Sequence, residues 1–185
     1  MISHYDLCKK TAEKFIKQSK IVLFEYQSFA TNEFPDVLCF KDSKTTLFEI
    51  KVNYQDFKKD NQKDCRIKYR LKYFPSAREH KRIASKIKFE WKSWGLSELI
   101  QQAPHLGRHR YYVCPAGLIQ KDEVENGWGL YWYDGKFKKK KESKIFRPNM
   151  YEEMRILEHA FRKHACGDGK NILINKYKES PIIET

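Results

Sequence analysis

Pro35-Asp36-Val37-Leu38-Cys39-Phe40-Lys41-Asp42-Ser43-Lys44-Thr45-Thr46-Leu47-Phe48-Glu49-Ile50-Lys51 is the stretch on which the reading of this chain turns. Two runs rich in β-branched and aromatic residues, 36 to 40 and 45 to 52, flank the polar Lys41-Asp42-Ser43-Lys44, the pattern of two strands joined by a short turn. Side chains at i and i+2 of a strand share a face, so Glu49 and Lys51 point one way while Phe48 and Ile50 point the other. Folding back as a hairpin returns Asp36 close to Glu49 and Lys51. The outcome is a small acidic pocket with one built-in cation at the ends of two strands.

Working outward, Tyr5 to Ser19 carries Leu7, Ala12, Phe15 and Ile16 among lysines, a period near that of an amphipathic helix, with Ser3 placed to cap it. Ile21 to Tyr26 reads as a strand, and a helix from about Tyr54 completes an α-β-β-β-α unit. Strands near Arg110 to Cys114 and Trp128 to Tyr133 resume the sheet. A closing helix is predicted over Tyr151 to His164, with Met154, Leu157 and Phe161 on one side. The expectation is a single α/β domain over residues 1–185, a central mixed β-sheet flanked by helices. It carries a basic helical insertion over about 66–107 and a polar, flexible tail over 167–185. In the insertion Arg66, Lys68, Arg70, Lys72, Arg78, Lys81, Arg82, Lys86, Lys88 and Lys92 alternate with Tyr69, Tyr73, Phe74, Phe89, Trp91 and Trp94. Such a mixture suits phosphate pairing and base stacking, although aromatics at helical spacing also anchor a helix to its domain.

The chemistry of the pocket follows from its atoms. Mg²⁺ takes oxygen ligands and is held by one or two carboxylates together with substrate phosphate oxygens. Asp36 and Glu49 supply the carboxylates, and an ammonium two residues from one of them suits holding a water and steadying negative charge as it develops. A formal net charge of +13 and a sequence pI of about 9.4 favour a polyanionic partner such as nucleic acid. Lys138-Lys139-Lys140-Lys141 is the one pronounced charge block, read as a solvated hairpin or loop or as a phosphate contact. Lys81, Arg82, Lys86, Lys88, Lys139 and Lys140 are the candidate nucleic-acid contacts.

Pro35-Asp36 with Glu49-x-Lys51 thirteen residues on resembles the motif of the PD-(D/E)XK nuclease superfamily. Val52-Asn53-Tyr54-Gln55-Asp56-Phe57-Lys58-Lys59-Asp60 is similar to the start of the helix that follows the motif in small, DNA-repair-associated members. Tyr111 to Gly117 and Gly127 to Leu130 look like that group's next two strands. The resemblance implies a restriction-endonuclease-like core and a Mg²⁺- or Mn²⁺-dependent deoxyribonuclease acting in DNA repair or processing. It implies that Asp36 and Glu49 bind the metal, that the Ile50 carbonyl adds a third oxygen, and that Lys51 orients or activates water. A further acid from the first helix often joins such sites. Glu13 matches it here, with Glu25, midway along the first strand, and Glu33 as alternatives. Asp56 and Gln55, in the turn after the motif, are auxiliary candidates, and Asp56 equally suits a helix N-terminus. The path to the fourth strand is longer than is usual in that family, which marks the basic segment as the insertion. The competing expectation is a nucleic-acid-binding repair-accessory module with little or no cleavage; a third is a module that binds a protein partner through the insertion and shows no salt-sensitive DNA binding.

Other classes find little support. Cys8, Cys39, Cys65, Cys114 and Cys166 form no C-x-x-C pair and follow no apolar signal segment, which suits a reducing, cytoplasmic setting. Cys39 and Cys114 lie in apolar runs and are expected to be buried hydrophobes. The histidines lack H-E-x-x-H spacing, with His4 set near a terminus, and there is no glycine-rich phosphate loop. No apolar window reaches the length of a membrane span. No heptad or long exposed apolar stripe chooses between a monomer and a homodimer.

Overall fold

The computed structural model of the chain describes residues 2–27, 34–60 and 106–175. The chain divides into two compact units, Met1–Val52 with Leu106–Thr185, and Asn53–His105. Within the first lie α1 (His4–Phe15), β1 (Ile21–Phe24), β2 (Val37–Lys41), β3 (Lys44–Ile50), β4 (His109–Pro115), β5 (Gly129–Tyr133), β6 (Phe137–Lys141), α3 (Met150–Ala165) and β7 (Ile172–Ile174). The second contributes α2 (Tyr54–Asp60), whose entry is shaped by the Asn53 side chain accepting from Gln55 N at 2.7 Å. Of the predicted insertion, residues 66–105 fall outside the described residues, and with them Lys81, Arg82, Lys86, Lys88 and the interleaved aromatics. Glu33 and Cys65 fall outside them too.

One seven-stranded sheet runs β6-β5-β4-β3-β2-β1-β7. The β3/β4 and β4/β5 pairs are parallel and the others antiparallel, so the fold is α/β with a mixed sheet. β2 and β3 form the expected hairpin, Lys41 opposite Lys44, around Asp42 and Ser43 at φ 45° and 60°. Two consecutive positive φ values give the turn a twist that matches the strands it joins. The parallel centre is buried on both sides, as parallel strands require.

α1 is capped by Ser3, whose hydroxyl accepts from Asp6 N at 3.1 Å. It buries Leu7, Cys8, Thr11 and Ala12 against Val22, Phe24, Val37, Cys39, Phe48 and Ile50. The predicted first helix is shorter than expected: it gives way to a 3₁₀ turn over Ile16–Gln18, just after Phe15 meets the Phe48 ring at 4.3 Å. By strand alternation Thr45, Leu47 and Glu49 take the opposite face of β3. There Thr45 Oγ1 donates to Glu153 Oε1 of α3 at 2.7 Å.

That bond bears on a correction. α3 forms where the sequence predicts a helix, but Met154 and Phe161, expected to face the core, are 61% and 49% exposed, and Glu152, Glu153, Ile156 and Ala160 are buried instead. Glu153 Oε1 also accepts from Gly107 N at 2.8 Å, and Tyr26 Oη meets His159 Nδ1 at 3.1 Å. Buried hydrogen bonds, rather than the widest apolar stripe, set the rotation of the helix. Lys138–Lys141 lies in a hairpin with β5, one of the readings its sequence allows, as a strand at the end of the sheet. One further element differs from expectation: residues 172–174 of the predicted tail are a strand paired with β1. Asn175 Nδ2 fixes that tail by donating to Ile16 O and Ser19 O, each at 3.1 Å. Cys39 and Cys114 are buried free thiols, as their apolar surroundings suggest.

Candidate active site

At one end of the sheet β1 and β3 finish and β2 begins, which gathers the residues that follow or precede them. Past Phe24, opposite Val37, the ladder continues for one more bond, Glu25 N to Asp36 O at 2.8 Å. Asp36 then turns its carboxylate across to β3, where Oδ2 accepts from Ile50 N at 2.7 Å. The residue between Glu49 and Lys51 is therefore tied to the third member of the predicted motif. Lys51 N donates to Val113 O at 2.9 Å, fixing the backbone of the motif from the β4 side. Lys51 Nζ lies 3.2 Å from Glu49 Oε2, and the two residues are 5% and 3% exposed. This is a buried ion pair, not a solvated one. Residues 36, 49 and 51 are thus brought together.

The helix-borne member of the cluster is not Glu13. That residue is exposed on α1, whereas His4 and Cys8, one turn apart and on the same side of the helix, face the strand ends. His4 Nδ1 is 2.9 Å from Glu25 Oε1 and Nε2 is 3.4 Å from Asp36 Oδ2. Cys8 Sγ donates to the same Glu25 oxygen at 3.0 Å and lies 3.6 Å from His4 Nδ1. Glu25 is not midway along β1 as expected but just beyond its end, at φ 47°. A left-handed glutamate costs about 1–2 kcal/mol. The bond to Asp36 O and the two contacts of its carboxylate hold it there.

The electrostatics follow from this placement. The hydrogen bond to Asp36 raises the pKa of His4, against a smaller opposing effect of burial, with Glu25 adding to the rise and Lys51 reducing it. Two carboxylates beside the ring thus favour its protonated form more than water does. Burial, then the hydrogen bond to Glu25 and the charges of Asp36, Glu25 and Glu49, push the Cys8 thiol up, so Cys8 is a thiol and not a thiolate nucleophile.

Asp36, Glu49 and the Ile50 carbonyl are oxygen donors and fit a hard cation such as Mg²⁺ or Mn²⁺. His4, Cys8 and Glu25 offer nitrogen, sulfur and oxygen within 4.8 Å of one another, a softer set. Lys139 and Lys140 lie on β6, three strands from β3. Lys139 Nζ pairs with Glu142 at 2.7 Å, and Lys140 Nζ sits 4.5 Å from the centre of the Trp132 ring. Asp56 is in the first turn of α2, in the second compact unit.

Sequence reasoning missed His4 and Cys8. The signal was a His-x-x-x-Cys pair one helical turn apart in the helix that precedes β1, with a glutamate next after that strand.

The chain is therefore an α/β protein built on a seven-stranded mixed sheet, with acids, a lysine, a histidine and a thiol drawn together where β1 and β3 end. It is similar in fold to a solved protein of unknown function from Silicibacter pomeroyi, at 11% identity and a TM-score of 0.50, over 86% of this chain and 87% of that one. No family model matches the chain, and no curated protein matches it.

Proposed function

We propose that the protein is a metal-dependent nuclease that hydrolyses DNA phosphodiester bonds in DNA repair or processing, on a core of the restriction-endonuclease type. The observation that carries this reading is the burial of the Glu49–Lys51 pair beside Asp36. Withdrawing two charges from water costs several kcal/mol per ion, roughly, and an apolar pair would fill the space more cheaply. Charged groups held in such a place recur at sites that do chemistry.

Asp36 and Glu49 are the residues that would hold Mg²⁺ or Mn²⁺, with the Ile50 carbonyl as a third oxygen. When bound, the cation polarises the phosphodiester and lowers the pKa of a coordinated water. Lys51 holds the attacking water and offsets the negative charge that builds on the phosphate. The Ile50 amide fixes the orientation of the Asp36 carboxylate, so that one of its oxygens is positioned before any ligand arrives. The net charge of +13 supports a polyanionic partner.

The test is a cleavage panel of single-stranded, duplex, branched and RNA substrates with Mg²⁺, Mn²⁺ or chelator. Asp36→Asn and Lys51→Met, checked for folding by circular dichroism, are run beside the parent chain. Metal-dependent DNA cleavage is expected, reduced about 10²-fold or more in either variant. A folded parent chain that binds DNA yet cuts no substrate with either metal would instead be a binding module.

A further inference from the structure

We propose that His4, Cys8 and Glu25 form a site for a borderline-soft divalent cation of the zinc class. Its ligand chemistry differs from that of the carboxylate pair, and it is joined to Asp36 through the far side of the His4 ring. The inference stands on these residues alone and not on the nuclease reading.

The donor atoms are already near coordination spacing. Tetrahedral zinc bonds of about 2.0–2.3 Å place neighbouring N, O and S ligands roughly 3.3–3.6 Å apart. Cys8 Sγ and His4 Nδ1 stand 3.6 Å apart. The distances from Glu25 Oε1 to Nδ1 and to Sγ, 2.9 and 3.0 Å, are those of hydrogen bonds. A cation at the centre takes the place of the protons that hold these contacts, and the Glu25 oxygen recedes by only about 0.5 Å to reach bonding geometry.

Two features outside the three donors favour ligation over a chance cluster. His4 Nε2 faces Asp36 Oδ2 at 3.4 Å while Nδ1 faces the donors, the carboxylate-histidine-metal arrangement that fixes the ring and its tautomer. Two of the donors sit on one turn of the capped helix α1, and the third lies just beyond the end of β1, where its amide bond to Asp36 O holds it in place. Mixed N, S and O ligation suits Zn²⁺ or Co²⁺ and disfavours Mg²⁺. Three protein ligands leave a fourth position open. A cation there stands behind the imidazole that touches Asp36, so its charge opposes cation binding at Asp36 and Glu49.

The experiment is a titration of the metal-free full-length chain with Co²⁺. One equivalent should bind and give a thiolate-to-cobalt charge-transfer band in the near ultraviolet. Zn²⁺ should displace it, and excess Mg²⁺ should not. Cys8→Ser should lose the band, and Glu25→Gln should weaken binding while retaining it. Asp36→Asn should keep the band and lower Co²⁺ affinity about 10- to 100-fold, the effect of removing a partner behind a ligating histidine. The Cys65→Ser/Cys166→Ser variant should behave as the parent chain does. Absence of Co²⁺ binding by the folded chain, a band that survives Cys8→Ser, or a band lost with Cys65 and Cys166 would each overturn the proposal. Should Cys8→Ser not fold, unchanged affinity in both Glu25→Gln and Asp36→Asn overturns it equally.

Discussion

Lys51 and Glu49 neutralise each other away from water, so each depends on the other for more than catalysis. Lys51→Met leaves a buried carboxylate without its cation and should lower stability by about 3–5 kcal/mol, whereas Glu49→Gln/Lys51→Met should recover most of that loss. Urea unfolding of the three chains measures it. His4 makes a separate prediction. Its hydrogen bond to Asp36 raises its folded pKa above 6.5, so the stabilisation is complete below about pH 6.5 and is lost as pH rises through the raised value. Asp36→Asn should bring the His4 titration down, read from the ring protons by NMR; an unmoved titration would exclude Asp36 as the cause. Asp36, Glu49 and Lys51 were legible because their spacing is local and strand alternation fixes which of them meet. His4 was not, because a histidine near a terminus has no partner until three separate elements converge on it.

For the elements, Glu153 is the instructive case. Its carboxylate accepts from the Thr45 hydroxyl and the Gly107 amide, tying α3 to β3 and to the chain entering β4. Glu153→Ala leaves a buried amide unsatisfied and should cost about 2–3 kcal/mol, with Glu153→Gln costing less because it keeps an acceptor. Chemical denaturation decides this, and equal losses in the two variants would show that packing rather than the acceptor matters. Periodicity found the helix but misjudged its buried side. Met154, Leu157 and Phe161 make the more apolar stripe, yet hydrogen bonds formed at long range turn Glu153 inward, and Glu152 is buried beside it. β7 was hidden for a related reason. Three residues, Ile172 to Ile174, are too short a pattern to read until β1 offers them an edge.

At the scale of the whole molecule, the α/β class and the order of the described helices and strands from α1 to β5 follow from local patterns, since the β2/β3 hairpin and the apolar runs within β3 and β4 need little long-range information. The clustering of His4, Cys8 and Glu25 depends on how helix, strand and loop close together. If the nuclease reading holds, DNA affinity should fall steeply with salt, and Lys140→Gln should reduce the magnitude of the logarithmic salt slope by about 0.9 for each phosphate the side chain no longer neutralises. Lys139→Gln should change it less, because Glu142 already neutralises that ammonium. Fluorescence anisotropy at several salt concentrations makes the comparison, and identical slopes for parent and Lys140→Gln would remove Lys140 from the interface.

The lysine-rich strand β6 also has a meaning that needs no ligand. Among the described residues it is the terminal strand on one side of the sheet, and the opposite terminal strand, β7, is three residues long. Sheet margins are where chains polymerise, and a row of ammonium groups repels a second copy that would dock in register, while a very short strand offers too few bonds to recruit one. Both margins are thus built against self-templated fibrillation, and a mixed sheet of seven strands stays a finite object.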